Sequence, residues 1–363
     1  MFHGDRNGPA GDRKSRVLQG GAIVSGDGAS NASRPIFSER ILATLKSPGG
    51  DDNDQLEMVE DGLRSRISGQ TFPYVDGVPS LFAVDGKSED IRQRVQDFYE
   101  ENPFPSYDGL EEFGELVSKG RQNPFTSELL KGIGYNKLVL ECGCGTGQLS
   151  HFLQLNNNHV LGIDMTLNSL GLALEHKRRN ELSRSAFAQM NIFDLAIKDG
   201  SFDVVISHGV LHHTADARRA FSCITRKVKP GGIVIVGLYN SYARIMTWMR
   251  SKLVGVLGDR IDYVVRNRIQ DERKAQIWIQ DQYFNPHETW HSIGEVLRWF
   301  EEDGIEFLNC YPRILDSSGE DDPDFFGASD SGTPYQRAMT QLSWLGTIAR
   351  EGSLFDMIGR RKE

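Results

Sequence analysis

LVLECGCGTGQLSHFL, at residues 138–153, is the stretch that determines the fold of this chain. Leu138, Val139 and Leu140 are typical of a buried parallel strand, and Glu141 closes that strand before three closely spaced glycines and a helical pattern. Glycines directly after a strand allow a tight turn in which the backbone approaches a ligand closely. The stretch therefore predicts a nucleotide-binding strand, turn and helix.

The spacing of the glycines argues against a dinucleotide. A dinucleotide fingerprint reads GxGxxG, whereas Gly143 begins GCGTGQ, so the third glycine comes one residue early. An acid directly before the loop would repel a pyrophosphate but suits a ligand that carries an ammonium group. A NAD-linked oxidoreductase is therefore disfavoured, and a glycine turn that binds nothing is the remaining alternative for the loop alone.

The acid-x-Gly-x-Gly-x-Gly pattern resembles motif I of the class I S-adenosylmethionine-dependent methyltransferases. The resemblance implies that the loop backbone packs against the methionine part and ribose of S-adenosylmethionine, and that the acid helps to hold the amino group. It implies the following cofactor residues in the loop: Glu141, Gly143, Cys144, Gly145, Gly147 and Gln148.

Later segments match the same family in order. The strand HVLGIDM ends in Asp164, 17 residues beyond Gly147, where an acid can accept hydrogen bonds from ribose hydroxyls. In the family the third strand ends in an Asp or Asn that meets the adenine amino group, and Asn191 matches it. FDVVISHGVLHHT resembles motif IV, and the KPGG turn at residues 229–232 is typical of the family. This part of the resemblance adds the cofactor residues Asp164, Met165, Asn191, Ile192 and Ser207.

Two histidines follow the fourth strand. Ligands of open parallel sheets bind outside the carboxyl ends of the strands, so His212 and His213 are predicted near the reacting methyl group. Either is a candidate general base because histidine titrates near neutral pH. The alternative is that one or both cap the following helix or pack beneath it.

The acceptor pocket is predicted from aromatic residues on either side of the core. The candidate substrate residues are Tyr99, Phe104, Tyr107, Tyr239, Tyr242, Tyr283 and His287. The polar residues Asp281 and His291 lie in the same region as the last two. A small, partly apolar or aromatic acceptor fits this composition. An apolar stripe after the fifth strand, which includes Ile245, Met246, Met249 and Leu253, is interpreted as core packing, with a substrate lid or a lipid-facing patch as alternatives.

The alternation of strands and helices predicts an α/β fold with a doubly wound, mostly parallel sheet of seven strands, the last one antiparallel. Residues 1–36 are predicted to be a disordered tail, 37–86 a small module, 87–120 a helical cover and 121–363 the methyltransferase domain, with an insertion at about 241–287. Pro286 is predicted to start the helix that precedes the sixth strand. Residues 37–86 are similar to the zinc-ribbon-like Trm112 module in their closing FPYVDGVP, but cysteines are absent where that module has its metal ligands.

Composition limits the function further. The net charge is −9, which disfavours a nucleic-acid partner, and the four cysteines form no disulfide or zinc pattern. We expect no metal, no stable membrane insertion and a cytoplasmic location, because the N-terminus lacks the apolar run of a signal peptide. The sequence does not predict an oligomeric state.

Two other functions stay open: an RNA or protein methyltransferase, and a catalytically silent S-adenosylmethionine-binding regulatory module.

Overall fold

The computed structural model describes residues 36–82, 89–258, 261–269, 271–314 and 324–363. The tail predicted over residues 1–36 lies outside the described residues except for Ile36. Residues 35–363 belong to one compact unit.

The first part of the unit is a short helix followed by a four-stranded antiparallel sheet. These elements are α1 (Glu39–Leu42), β1 (Leu56–Val59), β2 (Gly62–Ser65), β3 (Thr71–Val75) and β4 (Val78–Pro79), with the strands in sequence order. Three helices follow, namely α2 (Glu89–Glu101), α3 (Phe113–Gln122) and α4 (Pro124–Ile133).

The central sheet and its helices form the rest of the unit. In chain order they are β5 (Leu138–Cys142), α5 (Gln148–Leu153), β6 (His159–Asp164), α6 (Leu167–Arg179), β7 (Ser185–Gln189), β8 (Phe202–His208), α7 (Ala217–Thr225), β9 (Val228–Tyr239), α8 (Ser241–Leu257), α9 (Tyr263–Asn267), α10 (Glu272–Tyr283), α11 (Ile293–Glu302), β10 (Ile305–Tyr311), α12 (Pro334–Ser343) and β11 (Leu354–Arg361).

The central sheet has seven strands in the order β10, β11, β9, β8, β5, β6, β7. β5 to β9 pair in parallel, and β11 runs antiparallel to both of its neighbours. The predicted fold class is therefore confirmed. The chain order reverses on the two sides of β5, and open α/β sheets bind ligands at such a switch point, outside the carboxyl ends of the strands.

Helices cover both faces of the sheet because successive strand residues point in opposite directions. On β5, Leu138 and Leu140 enter one hydrophobic cluster and Val139 enters the other. The first cluster also takes in Phe37, Leu45 and several other residues of the small N-terminal module. The module thus shares its core with the central sheet.

The module also covers the β7 edge of the sheet. The Leu81 N–H donates to the Gln189 carbonyl at 2.9 Å, and the Ser80 hydroxyl donates to the Gln189 side chain at 2.7 Å. An exposed edge of unpaired backbone groups is a template for aggregation, and this contact satisfies one end of it.

Two predictions about the region after β9 are wrong. α11 begins at Ile293 and not at Pro286, because Ser292 and Glu295 form a capping box that fixes the start. The stripe on α8 is not core: Ile245, Met246, Met249 and Leu253 are exposed. The inward positions of α8 are held instead by residues that make polar contacts, among them Arg244 and Thr247. Among the described residues, no helix is apolar over a length that could cross a bilayer.

Leu45 tests whether the module and the central sheet unfold together. Its side chain is fully buried in the shared cluster, so Leu45→Ala should lower the free energy of unfolding by about 2–5 kcal/mol. Urea unfolding followed by circular dichroism should show a single transition, shifted to lower urea. Ile67→Ala, on the exposed surface of the same module, should change the free energy by less than about 0.5 kcal/mol. Two separate transitions, with only the first shifted by Leu45→Ala, would contradict a shared core.

Candidate active site

A cavity of about 710 Å³ lies at the carboxyl ends of the parallel strands. Its walls come from the loops after β5 to β9, from the segments around α2 and α3, and from α9 and α10 of the region after β9. Nine of the predicted cofactor residues line it: Glu141, Gly143, Cys144, Gly145, Gln148, Asp164, Met165, Asn191 and Ile192. The topology therefore brings most of the predicted set into one cavity.

Glu141 is a buried carboxyl group at the floor of the cavity. It is 5% exposed and accepts a short hydrogen bond from the Ser150 hydroxyl of α5. Burial raises the pKa of Glu141 to about 7, although the bond from Ser150 works in the opposite direction. An ammonium group brought beside it would favour the ionised carboxylate and restore its usual acidity.

Gly145 lies where the loop after β5 meets the rest of the site. Its φ is +50°, and its N–H donates to Asp164 Oδ2 at 2.9 Å. A Cβ atom built on Gly145 would lie 2.2 Å from the Phe104 carbonyl oxygen, so no side chain fits without movement of the backbone. Phe104 belongs to the segment that covers the loop after β5.

The cover is tied to the loop by a set of hydrogen bonds. The Thr146 hydroxyl donates to the Pro105 carbonyl at 2.7 Å, the Gln148 amide donates to the Ser106 carbonyl at 2.8 Å, and the Tyr107 hydroxyl donates to the Thr146 carbonyl at 2.8 Å. These contacts hold residues 104–107 over the glycine loop. The cover is thereby built into one wall of the cavity.

Asp164 closes β6 and faces the cavity. Oδ1 accepts from the N–H and the hydroxyl of Thr166 at 3.0 and 2.8 Å, and Oδ2 accepts from Gly145. Burial raises its pKa, and these hydrogen bonds work against that rise. After β7, Asn191 Oδ1 accepts from the Phe193 N–H at 3.0 Å, which fixes the turn that carries Asn191 and Ile192 into the cavity wall.

Gly147 and Ser207 do not line the cavity. Gly147 is the N-cap of α5 with φ +80°, and the Ser207 hydroxyl donates to the Cys142 carbonyl at 3.1 Å within the sheet. Their positions support the loop and the sheet. The neighbouring His208 does line the cavity and pairs through Nδ1 with Asp356 Oδ1 of β11 at 2.7 Å. Burial opposes protonation of His208, but the Asp356 carboxylate outweighs it, so the pKa of His208 is raised.

The two predicted base candidates occupy different environments. His212 is fully buried, and its ring stacks on Tyr239 with 3.8 Å between centroids. Within the described part of the chain, neither of its ring nitrogens has a hydrogen-bond partner, and burial places its pKa well below the ordinary value. His212 does not line the cavity, whereas His213 does.

His213 is held in one orientation. Its Nδ1 lies 2.8 Å from the His287 carbonyl oxygen, which can only accept, so Nδ1 carries the proton and Nε2 carries the lone pair in the neutral ring. Burial lowers its pKa despite the opposing charge of Asp281, so the ring is neutral at pH 7. His213 therefore has the tautomer and the protonation state of a proton acceptor.

A polar cluster lies beside His213. The Tyr99 ring is 6.1 Å from the His213 ring, and its hydroxyl donates to Asp281 Oδ1 at 2.8 Å and accepts from the Asn285 amide at 2.9 Å. The Gln282 amide donates to Asp281 Oδ2 at 2.9 Å. Asp281 is thus a buried carboxyl group in the cavity wall with a donor on each oxygen.

Arg244 fixes the backbone that carries this cluster. Its guanidinium donates to both Glu288 oxygens at 3.1 and 2.5 Å and to the side chain and carbonyl of Gln282 at 2.7 and 2.8 Å. It also lies over the Tyr239 ring at 3.8 Å. A buried charge is tolerated only when it is paired and hydrogen-bonded in this way.

The predicted substrate residues divide into two groups. Tyr99, Phe104 and Tyr239 line the cavity, but Tyr107, Tyr242, Tyr283 and His287 do not. The Tyr107 ring stacks on His176, the Tyr283 hydroxyl donates to Asp262 at 2.6 Å, and His287 supports His213 through its backbone. Within the described residues, no group of three or more His, Cys, Asp or Glu side chains could hold a metal ion.

Comparisons with known proteins indicate a methyltransferase domain. A family model described as "Methyltransferase domain" matches residues 134–304, just under half of the chain. An uncharacterised protein of Synechococcus is 28% identical over 222 residues, which cover 53% of this chain and 52% of that protein. A ubiquinone biosynthesis O-methyltransferase of Cronobacter sakazakii is 28% identical over 197 residues, which cover 53% of this chain and 72% of that enzyme. The chain thus spans about half the length of the Synechococcus relative.

A solved structure with a similar course of the chain is phosphoethanolamine N-methyltransferase 2 of Haemonchus contortus in complex with S-adenosyl-L-methionine. The TM-score is 0.41 and the sequence identity 16%, over 74% of this chain and 60% of that one.

Gly145→Ala tests the contact between loop and cover. Because the new Cβ would overlap the Phe104 carbonyl, the variant should lose about 1–3 kcal/mol of unfolding free energy and bind S-adenosylmethionine at least about tenfold more weakly. Thermal unfolding and titration calorimetry measure the two effects. Gly171→Ala, in α6 with no atom near the new Cβ, is the matched control and should stabilise by about 0.5–1 kcal/mol. Unchanged affinity in Gly145→Ala would show that the contact does not shape the cofactor end.

Proposed function

We propose that this chain, whose residues 134–304 belong to the class I S-adenosylmethionine-dependent methyltransferases, transfers a methyl group to a small-molecule acceptor with His213 as general base. The observation that carries the proposal is His213, held by the His287 carbonyl with its free lone pair on Nε2 in a cavity that also contains the glycine loop. Fold alone would not give this function, because binding modules share the fold.

The residues present fit S-adenosylmethionine. The cavity volume lies within the range of small-molecule sites, which is about 300–1,000 Å³, and the carboxyl groups of the buried Glu141 and the half-buried Asp164 line it. Glu141 suits the amino group, Asp164 suits the ribose hydroxyls, and Asn191 with Ile192 suits the adenine end. The exclusion of a side chain at Gly145 keeps the backbone accessible to the ligand. The bound cofactor supplies an activated methyl group on a sulfonium sulfur.

The chain contributes position and proton removal. Tyr99 and Asp281 can orient the reacting group of the acceptor next to His213, since both lie in the cavity wall beside its ring. His213 Nε2 takes the proton that the acceptor loses as the bond to the methyl carbon forms. The Nδ1–H group stays hydrogen-bonded to the His287 carbonyl oxygen, and this bond stabilises the resulting imidazolium.

The acceptor is proposed to be small and partly apolar. The wall at this end contains the apolar side chains of Tyr239, Val264 and Trp278. Beside them lies a polar group made of Tyr99, His213, Asp281 and Gln282, and the Arg268–Glu351 ion pair lies at the rim. Such a wall accommodates a ring or chain with one nucleophilic group. The ubiquinone biosynthesis O-methyltransferase among the relatives is named for an acceptor of this general kind.

Methyl transfer itself is tested with S-adenosylmethionine labelled in the methyl group. The full chain is incubated with the small-molecule fraction of a cell extract, and the labelled product is separated and identified by mass spectrometry. We expect label in a small molecule and none in RNA or protein fractions assayed in parallel. Binding of S-adenosylmethionine without transfer to any fraction would instead support a silent binding module.

His213→Ala should lower kcat by about 10²–10⁴ with little change in affinity for S-adenosylmethionine. Because burial lowers the pKa of His213, the wild-type rate should fall only below pH 6.5, as Nε2 becomes protonated, and the variant should lose this acid limb. His212→Ala is the neighbouring control: it removes packing against Tyr239 but should keep the acid limb. An unchanged pH profile in His213→Ala would exclude His213 as the base.

Glu141→Gln should abolish a pH dependence of cofactor binding. With a pKa of about 7 in the free protein, Glu141 is half ionised at neutral pH, so affinity for an ammonium ligand should rise from pH 6 to 7.5 with proton release. Glutamine mimics the protonated form, so the affinities of the two proteins should differ by only about twofold at pH 6 and by about tenfold at pH 7.5. Calorimetry in two buffers of different ionisation enthalpy measures both effects. If the affinity changed equally with pH in both proteins, the amino group of the cofactor would not lie beside Glu141.

A further inference from the structure

Most of the exposed large apolar side chains in the described part of the chain lie on two neighbouring helices. Of the twelve in the described part of the chain, five lie on α8 and three on α12, which packs beside α8. The five on α8 are between 38% and 51% exposed: Ile245, Met246, Trp248, Met249 and Leu253. Single exposed apolar residues are ordinary, but a cluster of this kind marks an interaction surface.

α8 is amphipathic, but its apolar side faces outward and its more polar side is buried. Its inward side carries Ala243, Arg244 and Thr247, which are buried, while the five apolar side chains and Lys252 share the outward side. At 3.6 residues per turn these six positions cover about 160° of the helix circumference. The inner side is fixed by the contacts of Arg244 and by the Thr247 and Ser353 hydroxyls, which are 3.2 Å apart. The helix therefore cannot turn its apolar side inward without breaking this network.

The charge of the face differs from that of the whole chain. The chain has 50 acidic and 41 basic residues, yet α8 and α12 contain no Asp or Glu, while α8 contains Arg250 and Lys252 besides the buried Arg244. The Lys252 ammonium lies 5.6 Å from the centre of the Trp248 ring, so its stem follows the apolar surface. Tryptophan and lysine side chains of this kind lie at the level of lipid headgroups, with the apolar part below and the charge above.

We propose that the outward face of α8, extended by Met339 and Leu342 of α12, docks on the surface of an anionic lipid bilayer. The apolar side chains enter the boundary between headgroups and acyl chains, and Lys252 reaches the anionic headgroups. The helix lies in the plane of the surface and does not cross it. Docking is a property separate from methyl transfer and does not depend on the proposed reaction.

A second copy of this chain fits the face less well than a bilayer does. Lys252 lies within the apolar arc, between Trp248 and Ile245, so a two-fold contact that covered the arc would desolvate two ammonium groups, and neither α8 nor α12 has a carboxylate to pair with them. At a bilayer surface the same ammonium stays in contact with water and anions.

The face lies close to the rim of the cavity. Arg250 of α8 donates to the Ala349 carbonyl, and two residues later Glu351 lines the cavity, paired with Arg268. Glu351 and Arg268 are both exposed, so this ion pair forms part of the rim. Docking through α8 would place this rim near the lipid surface, where an apolar acceptor dissolves.

Co-sedimentation of the full chain with vesicles tests the proposal. One set of vesicles is phosphatidylcholine alone, and the other contains one-third phosphatidylglycerol. We expect binding to the mixed vesicles and weaker binding to phosphatidylcholine, with the difference reduced by salt. The variant with Trp248→Ser, Met249→Ser and Leu253→Ser should reduce partitioning at least about tenfold, because three apolar contacts are removed. Lys252→Glu should remove the preference for the anionic lipid.

The matched control replaces three exposed apolar residues elsewhere, with Met58→Ser, Ile67→Ser and Tyr135→Ser, and should bind vesicles as the wild type does. Thermal unfolding and S-adenosylmethionine binding verify that each variant is folded. Sedimentation velocity supplies the opposing outcome: a wild-type dimer that ignores vesicles and becomes monomeric in the α8 variant would assign the face to a second copy. A wild-type monomer that does not bind mixed vesicles, or equal losses in both triple variants, would also overturn the proposal.

Discussion

The turn after β5 is the constraint on which the site depends. The chain must leave a buried parallel strand and enter α5 within a few residues, and it does so through glycines with positive φ. Gly145 is held from one side by Asp164 and is closed from the other by the Phe104 carbonyl. The backbone at Gly145 thus links β5, β6 and the cover, and so fixes their relative positions at the cofactor end of the cavity.

A second buried contact organises the part of the cavity around His213. Arg244 joins Gln282 and Glu288, and through them it positions Asp281 and the segment that carries His287. His213 takes its tautomer from the backbone of that same segment. The tautomer of the candidate base is therefore set by a residue far from it in sequence. The region after β9 forms one wall of the cavity.

The same contact explains the outer surface of α8. An arginine that is buried with its full set of hydrogen bonds fixes the rotation of the helix, since a free buried charge would cost several kcal/mol. Between residues 243 and 253, the inward positions are taken by Ala243, Arg244 and Thr247, and the large apolar residues face outward. The inner side of α8 supports Gln282 in the cavity wall, and its outer side is the proposed docking face.

Much of the fold was predictable because its signals are local. Short apolar strands, glycine turns and polar residues at strand ends follow one another along the chain, and parallel sheets bring their carboxyl ends to one edge. That rule brought Glu141, Asp164 and Asn191 together. The same rule brings His208, the last residue of β8, to this edge, but its partner Asp356 is 148 residues away and has no local signature.

The amino-acid sequence by itself determined the seven-stranded α/β sheet, the position of the glycine loop and most of the cofactor end, because each depends on neighbours a few residues apart. Only the tertiary structure separated His213 from His212, selected Asp281 over Tyr283 and His287, and turned the apolar stripe of α8 outward. Those outcomes depend on which side chains become buried together across long sequence separations. Periodicity in the sequence shows that α8 has two different sides. The contacts of Arg244 with Gln282 and Glu288 decide which side faces inward.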